Sequence, residues 1–393
     1  MGRGIAMTFA DAGIDVALVD ADANALERAR ETLEKIYATQ VERGRISAGE
    51  KATRMASIAP SSECGESVAR ADVVIEAVFE DLALKQQVFA QLGALCREDT
   101  MLATNTSTLD VDAIAAAASH PERSLGLHFF SPAHVMRLLE VVRGEKTSPA
   151  TIAAAVELGR RLGKVPVVVG NCDGFAGNRM LLGYRREAEF LVLEGASPER
   201  VDGALENFGF AMGPFAVADL AGIDVGWRAK QERIKRGQAP AFAVTDLSDA
   251  LVAAGRLGQK TGHGWYRYEP GERARRDDPA TVPIVESERR RLGIAQREVG
   301  DGEIVERCVY ALVNEGARIL EEGIASSAAD IDTIWLNGYG FPKARGGPMR
   351  YADAVGLPKV LAAIKRFAQR DPEFWRPAPL LVRLADSGRS FSG

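Results

Sequence analysis

A chain of 393 residues has room for two or three domains. Its apolar share of 46% and charged share of 26% are ordinary for a folded globular protein. A net charge of −5 gives no general attraction to nucleic acid or to an anionic membrane, and no apolar run is long enough to insert into a bilayer.

The N-terminal residues Met1-Gly2-Arg3-Gly4 match the back half of a dinucleotide-binding glycine loop. A helix over Ile5 to Ala12 should follow, then a strand over Val16 to Val19 that ends in Asp20. In a Rossmann unit the last loop glycine opens a helix whose unpaired N–H groups and positive dipole end receive the pyrophosphate. An acid at the end of the second strand takes the adenosine ribose and repels a 2′-phosphate. Gly2 and Asp20 fit these places, so NAD rather than NADP is the expected cofactor. The plain alternative for Asp20 is a turn residue. The first strand and the leading glycines have no counterpart here. The α/β domain is therefore expected to be N-terminally truncated, with two strand ladders left open, and to bind NAD weakly.

Further along, Asn24 to Val41 carries Leu26, Ala29, Leu33, Ile36 and Tyr37 at helical spacing. Val73 to Ile75 reads as a buried strand and Leu82 to Leu95 as a helix. Met101 to Ala103, Leu125 to Phe130, Leu138 to Val142 and Val165 to Val169 read as strands, with a helix near Val111 to Ala118. Strand–helix alternation of this kind predicts a mostly parallel sheet covered by helices. After Gly170 the strands stop. Ala176 to Glu194 and Pro198 to Phe208 read as helices, residues 269 to 300 as a polar region rich in charge (Arg273, Arg275, Arg276, Asp277, Asp278) whose start is a linker and whose Val285 to Leu292 could be helical, and the chain from Ile304 as helical again.

The final stretch repeats the earlier helical one. Glu194-Gly195 and Val201-Asp202 parallel Glu322-Gly323 and Ile331-Asp332. Gly213-Pro214, Asp219 and Gly222 parallel Gly347-Pro348, Asp353 and Gly356. The expected layout is a Rossmann-like domain over residues 1–169, an all-α module over 170–268, a linker over 269–300 and a second all-α module over 301–393. Self-association through the helical modules is an open expectation. Cys64, Cys96, Cys172 and Cys308 are scattered, with no CxxC pair. They read as buried free thiols of a reducing compartment rather than as a metal site. The N-terminus shows no signal-peptide pattern, and Ser390-Phe391-Ser392-Gly393 is not a peroxisomal tripeptide, so a cytoplasmic location is expected.

Two polar residues interrupt apolar runs. His128 lies in Gly126-Leu127-His128-Phe129-Phe130 and Glu140 in Leu138-Leu139-Glu140-Val141-Val142. Burying either alone costs roughly several kcal/mol. Pairing them answers both costs and leaves one imidazole nitrogen as a base. The alternative is a satisfied core histidine and a surface glutamate. Asn105-Thr106-Ser107 follows a strand at the end where such sheets bind ligands, so Asn105 or Ser107 could meet a substrate oxygen or the nicotinamide ribose, or simply form a turn. Asn178 should lie in the first turn of the long helix, as a cleft residue or a cap.

These segments occur in a telling order: Gly2 with its helix, Ile75-Glu76-Ala77-Val78, Asn105-Thr106-Ser107, His128-Phe129-Phe130-Ser131-Pro132, Gly174-Phe175-Ala176-Gly177-Asn178-Arg179 and Met212-Gly213-Pro214-Phe215. Together they resemble the L-3-hydroxyacyl-CoA dehydrogenases of fatty-acid β-oxidation. The wording is most like the dehydrogenase part of the peroxisomal-type bifunctional family and its bacterial relatives, through His128 to Met136, Gly170-Asn171-Cys172, Gly258 to Gly262 and the second helical module. The resemblance implies NAD-dependent oxidation of L-3-hydroxyacyl-CoA to 3-ketoacyl-CoA. His128 would be the general base and Glu140 its partner. Ser107 and Asn178 would hold the substrate oxygen. Glu80, Lys85 and Asn105 would contact NAD, and Arg43 coenzyme A. It also implies that the hydratase domain of the bifunctional relatives is not part of this sequence. Two other readings stay open: a 3-hydroxy-acid dehydrogenase acting without coenzyme A, and a catalytically silent helical module.

Overall fold

The computed structural model describes residues 1–269, 271–272 and 274–393. Arg273, part of the expected linker, lies outside the described residues. The chain divides into two compact units. The first comprises residues 1–176 with Ile324–Ser326, and the second residues 177–323 and 327–393.

The first unit is the α/β one. Helix α1 (Gly2–Asp11) leads to strand β1 (Val16–Val19), the long helix α2 (Ala23–Glu42), α3 (Ala48–Ala56) and β2 (Ile58–Ser61). Then come α4 (Glu66–Ala69), β3 (Val73–Glu76), α5 (Leu82–Leu95), β4 (Met101–Thr104), α6 (Val111–Ala115) and β5 (Ser124–Phe129). Strand β6 (Leu138–Arg143), helix α7 (Pro149–Arg161) and strand β7 (Val165–Gly170) complete it. The strands form two sheets rather than one: β1–β2, and β3-β4-β5-β6-β7. All pairs are parallel except β5–β6, which is antiparallel. Among the described residues β1 pairs only with β2, and β3 only with β4.

Helix α1 ties the two sheets together. Ile5 and Phe9, one turn apart, pack with Leu125, Leu127 and Phe129 of the larger sheet. Ala6, Met7 and Ala10 face the other way, onto Leu33, Tyr37 and Ile58. Burial on both sides is why Ile5 to Ala10 is a run of apolar residues broken only by Thr8. Asp11 at its end accepts from Tyr37 Oη (2.9 Å) and Arg54 Nη1 (3.0 Å), fastening α2 and α3 to it.

The second unit is helical. It runs α8 (Gly177–Glu194), α9 (Pro198–Phe208), α10 (Pro214–Ala221), α11 (Ile223–Lys235), α12 (Leu247–Ala253), α13 (Val282–Leu292), α14 (Asp301–Glu321), α15 (Ala328–Gly338), α16 (Pro348–Val355), α17 (Leu357–Ala368) and α18 (Pro379–Asp386). Strands β8 (Tyr266–Arg267) and β9 (Arg276–Asp277) form a small antiparallel ladder. The 269–300 stretch, expected as a linker, thus carries β9 and α13. Many of its described charges are paired: Arg275 grips Glu206 at 2.6 and 2.8 Å, and Asp278 meets Arg256 at 2.5 Å. Polarity there marks salt bridges rather than a solvated coil.

The residues that recur in sequence make the same contacts. Asp202 accepts from the N–H groups of Phe215 and Ala216 at the start of α10, and Asp332 from those of Met349 and Arg350 at the start of α16. Gly213 and Gly347 must be glycine, because a Cβ on either would lie 2.3 Å from the capping carboxylate. Asp219 likewise takes the N–H groups of Trp265 and Tyr266, and Asp353 those of Phe391 and Ser392. Between α8 and α14, Arg307 bonds Glu187 and Glu194 at 2.7 Å each, and Arg297 bridges Glu194 and Glu303.

Candidate functional site

His128 and Glu140 stand directly opposite each other on β5 and β6. In an antiparallel pair, side chains at opposed positions share a face and touch. Here Glu140 Oε2 lies 2.7 Å from His128 Nδ1. The glutamate is fully buried and the histidine 6% exposed. Two aromatic rings flank the imidazole: Phe130 at 4.5 Å between centroids and Phe175 at 5.6 Å. Phe175 has a left-handed backbone (φ 50°), a conformation that non-glycine residues rarely hold without compensation. Its completely buried ring supplies that compensation. With Nδ1 turned to the carboxylate, Nε2 is the nitrogen left to exchange a proton.

The segment after β4 is organised by Glu80. Its Oε1 accepts from Thr106 Oγ1 (2.6 Å), Ser107 N (2.9 Å) and Ser107 Oγ (3.3 Å). Asn105 Oδ1 accepts the backbone N–H of Phe129. Lys85 is completely buried and donates to Glu76 Oε1 at 2.7 Å, with Glu80 Oε2 3.7 Å away. Glu76, at the end of β3, also accepts from Thr104 Oγ1 (2.8 Å) and Val78 N (2.6 Å). Sequence reading passed over Glu76 as a site residue, although an acid closing the apolar run Val73-Val74-Ile75 is the same signal that marks Glu140. The arrangement keeps the Lys85 ammonium away from solvent, paired with Glu76 and within 3.7 Å of the Glu80 carboxylate.

Helix α1 opens without a side-chain cap and without an acid in its first turn. Such an N-terminus suits an anion. Gly2 lies against Ala77 and Gly4 against Ala133, where added Cβ atoms would sit at 3.9 and 3.4 Å. The Ala133 loop is fastened by Lys164, whose ammonium donates to the carbonyls of Ala133 and, at 2.8 Å, Met136. Burial pushes this lysine below its ordinary pKa. Asp20 follows β1 with an exposed carboxylate, and one oxygen accepts the Asp22 N–H at 3.0 Å, as a turn residue does. The uncapped helix, the close-set glycines and the exposed acid fit a dinucleotide.

Arg43 is exposed at the end of α2. Asn178 belongs to the helical unit, at the second residue of α8, where its Oδ1 accepts from Tyr339 Oη at 2.9 Å. Of the cysteines, only Cys308 is buried; Cys64 is exposed, contrary to the expectation of buried thiols throughout.

The first 172 residues match the family model described as the NAD-binding domain of 3-hydroxyacyl-CoA dehydrogenase, and residues 174–268 and 302–391 match the C-terminal domain of the same enzymes. The chain belongs to the 3-hydroxyacyl-CoA dehydrogenase family. Among curated relatives of this dehydrogenase-family chain, the peroxisomal bifunctional enzyme of Cavia porcellus is 45% identical over 401 residues, covering 99% of the chain and 55% of the relative. The fatty acid oxidation complex subunit alpha of Shewanella amazonensis is 40% identical, covering 100% of the chain and 54% of the relative. The chain thus spans about half the length of the curated relatives it matches. Among solved structures, the 3-hydroxybutyryl-CoA dehydrogenase of Escherichia coli K12 superposes with a TM-score of 0.85 at 30% identity, covering 99% of this chain and 97% of that one. The dehydrogenase part of multifunctional enzyme 1 from C. elegans gives 0.70 at 32% identity, covering 98% and 87%.

Proposed function

We propose that this chain oxidises L-3-hydroxyacyl-CoA to 3-ketoacyl-CoA in fatty-acid oxidation. The observation that carries the reading is the buried His128–Glu140 pair, joined at 2.7 Å in a unit that matches an NAD-binding domain. NAD, when bound, supplies the acceptor for the hydride that leaves C3. Gly2 and the first turn of α1 would receive its pyrophosphate, and Asp20 its adenosine ribose. Glu80 and Asn105 would bound the nicotinamide end, with Lys85 acting from behind them.

His128 takes the C3 hydroxyl proton on Nε2 as the hydride departs. The imidazole becomes cationic, and the Glu140 carboxylate compensates that charge without moving. Ser107 holds the substrate oxygen as it changes from hydroxyl to carbonyl, and Arg43 offers charge to the coenzyme A phosphates. Alignment of C3 is the protein's main contribution. We also infer that the helical unit consists of two modules of one kind, a reading supported by the matching caps of Asp202 and Asp332.

The test is turnover of an L-3-hydroxyacyl-CoA with NAD, beside the free 3-hydroxy acid, for the wild-type chain and His128→Gln. The acyl-CoA should be the better substrate. The variant should lose about 10²–10⁴-fold in rate while binding NADH normally. Full activity in the variant would overturn the role of His128, and equal turnover of the free acid would overturn the role of coenzyme A.

A further inference from the structure

We propose that Glu76 is a positioning residue for the cofactor: its buried ion pair with Lys85 clamps the loop 77–80, which runs between the start of α1 and Glu80, the places proposed for the pyrophosphate and the nicotinamide end of NAD. This rests on the reading of Gly2 and Glu80 as the two ends of that site.

Glu76 closes β3, at the strand end where such sheets bind ligands. Its side chain has no accessible surface, and neither has that of Lys85. Glu76 Oε1 takes both the Lys85 ammonium at 2.7 Å and the Val78 N–H at 2.6 Å, and Oε2 takes Thr104 Oγ1 at 2.8 Å. Lys85 donates in turn to the Val78 carbonyl at 3.4 Å. Both backbone groups of Val78 are thus held by the two ends of one ion pair. The residues on either side carry the contacts that matter to a nucleotide. Ala77 lies against Gly2 at the start of α1, and Glu80 gathers Thr106 Oγ1 and the Ser107 N–H.

Apolar burial does not hold this loop. The Val78 and Phe79 side chains are 40% and 86% exposed, so they give the backbone no core to pack on. Nor does the pair add much strength, because the desolvation of two buried charges offsets much of their attraction. What it supplies is a fixed geometry for Val78. The Lys85 ammonium has no accessible surface, so a nucleotide meets the loop and Glu80 rather than the ammonium itself. Lys85 therefore acts on NAD through Val78 and through Glu80, whose Oε2 lies 3.7 Å away.

Glu76→Gln keeps the shape and removes the charge, and Lys85→Met keeps the chain length and removes the hold on the Val78 carbonyl. In the full chain each should raise the KM for NAD and the Kd for NADH about 10-fold, the scale of one hydrogen bond set out of line. In the nucleotide-free chain the amides of residues 77–80 should exchange faster than in wild type, while those of β5 should not. The double variant leaves no unpaired buried charge. Its KM should match that of Lys85→Met, because the two residues act as one unit. Loss of folded protein lowers kcat per chain and leaves KM alone. A lowered kcat with wild-type KM and unchanged exchange therefore overturns the proposal in favour of a structural role. If neither single variant folds, the double variant decides, and a wild-type KM there overturns the proposal. Losses that multiply independently show Lys85 meeting NAD directly and overturn it as well. If the wild-type chain binds no NADH, the reading of the NAD site fails and the proposal with it. If it binds NADH and Glu76→Gln binds it as tightly, the proposal alone fails.

Discussion

Asn105 Oδ1 accepts the backbone N–H of Phe129 at 3.0 Å. The ladder between β4 and β5 is paired only as far as Thr104 and Gly126. Where β4 runs out, an amide side chain reaches over to the strand that carries His128. Asn105→Ala should strand that N–H beside the imidazole, at a cost of about 1–3 kcal/mol. We expect a lower midpoint in urea together with a lower kcat. An unchanged midpoint would mean that the contact is dispensable and Asn105 acts only on ligand.

Glu140→Gln keeps the volume of the side chain and one hydrogen bond to His128. It removes the charge that offsets the imidazolium. Turnover should drop roughly 10- to 100-fold, less than the ~10²–10⁴-fold of losing the base itself. Substrate KM should move little, since Glu140 is fully buried and Oε2 faces the histidine. A steady-state comparison measures both, and a raised KM with normal kcat would assign Glu140 to binding instead.

Asp20 ends β1 with an exposed carboxylate. Its charge should repel a 2′-phosphate and hold a ribose diol. The wild-type chain should prefer NADH to NADPH, and Asp20→Ala should weaken NADH while narrowing the gap. Fluorescence titration with both nucleotides decides it. Equal affinity for the two in the wild type leaves Asp20 with only its turn contact to Asp22.

Burial pushes Asp202 up to about 6, and Asp332 likewise to about 6. An unfolded aspartate titrates near 3.9 (roughly). Between those values the folded chain keeps a proton that the unfolded chain has released. Stability from these groups is therefore full at the acid side of the window, falls as pH rises through it and stays lower above about 6. Asp202→Asn cannot titrate. The variant should be less stable than wild type, and the gap in Tm should widen as pH is lowered from about 7 to about 4.5. A gap that narrows instead would show that Asp202 stabilises α10 as an anion.

The apolar runs of β3 to β7 were legible because strands buried on both faces cannot hide their composition. Polar intrusions into those runs found His128 and Glu140 for the same reason. Strand β2 was not legible: Ile58-Ala59-Pro60-Ser61 is short, and its proline argues against a strand. Helix α3 escaped because it is only 9 residues long and its apolar face, Ala48, Ala52, Met55 and Ala56, is mostly alanine and none of it is fully buried. Lys85 was singled out only through the family resemblance, as a position that contacts NAD; its bond to Glu76 was not legible, because no spacing rule announces a partner nine residues back.

Placing both members of the His128–Glu140 pair on neighbouring strands has a consequence in time. Strand β5 is buried at every position, and β6 at every position but Arg143. Amides in such a ladder trade their hydrogens with deuterated water only when the whole unit opens, whereas loops open locally and often. His128 and Glu140 should thus belong to the slowest-exchanging set, and the turn holding Ser107 to a faster one. The pair proposed to handle the proton then lasts as long as the fold does.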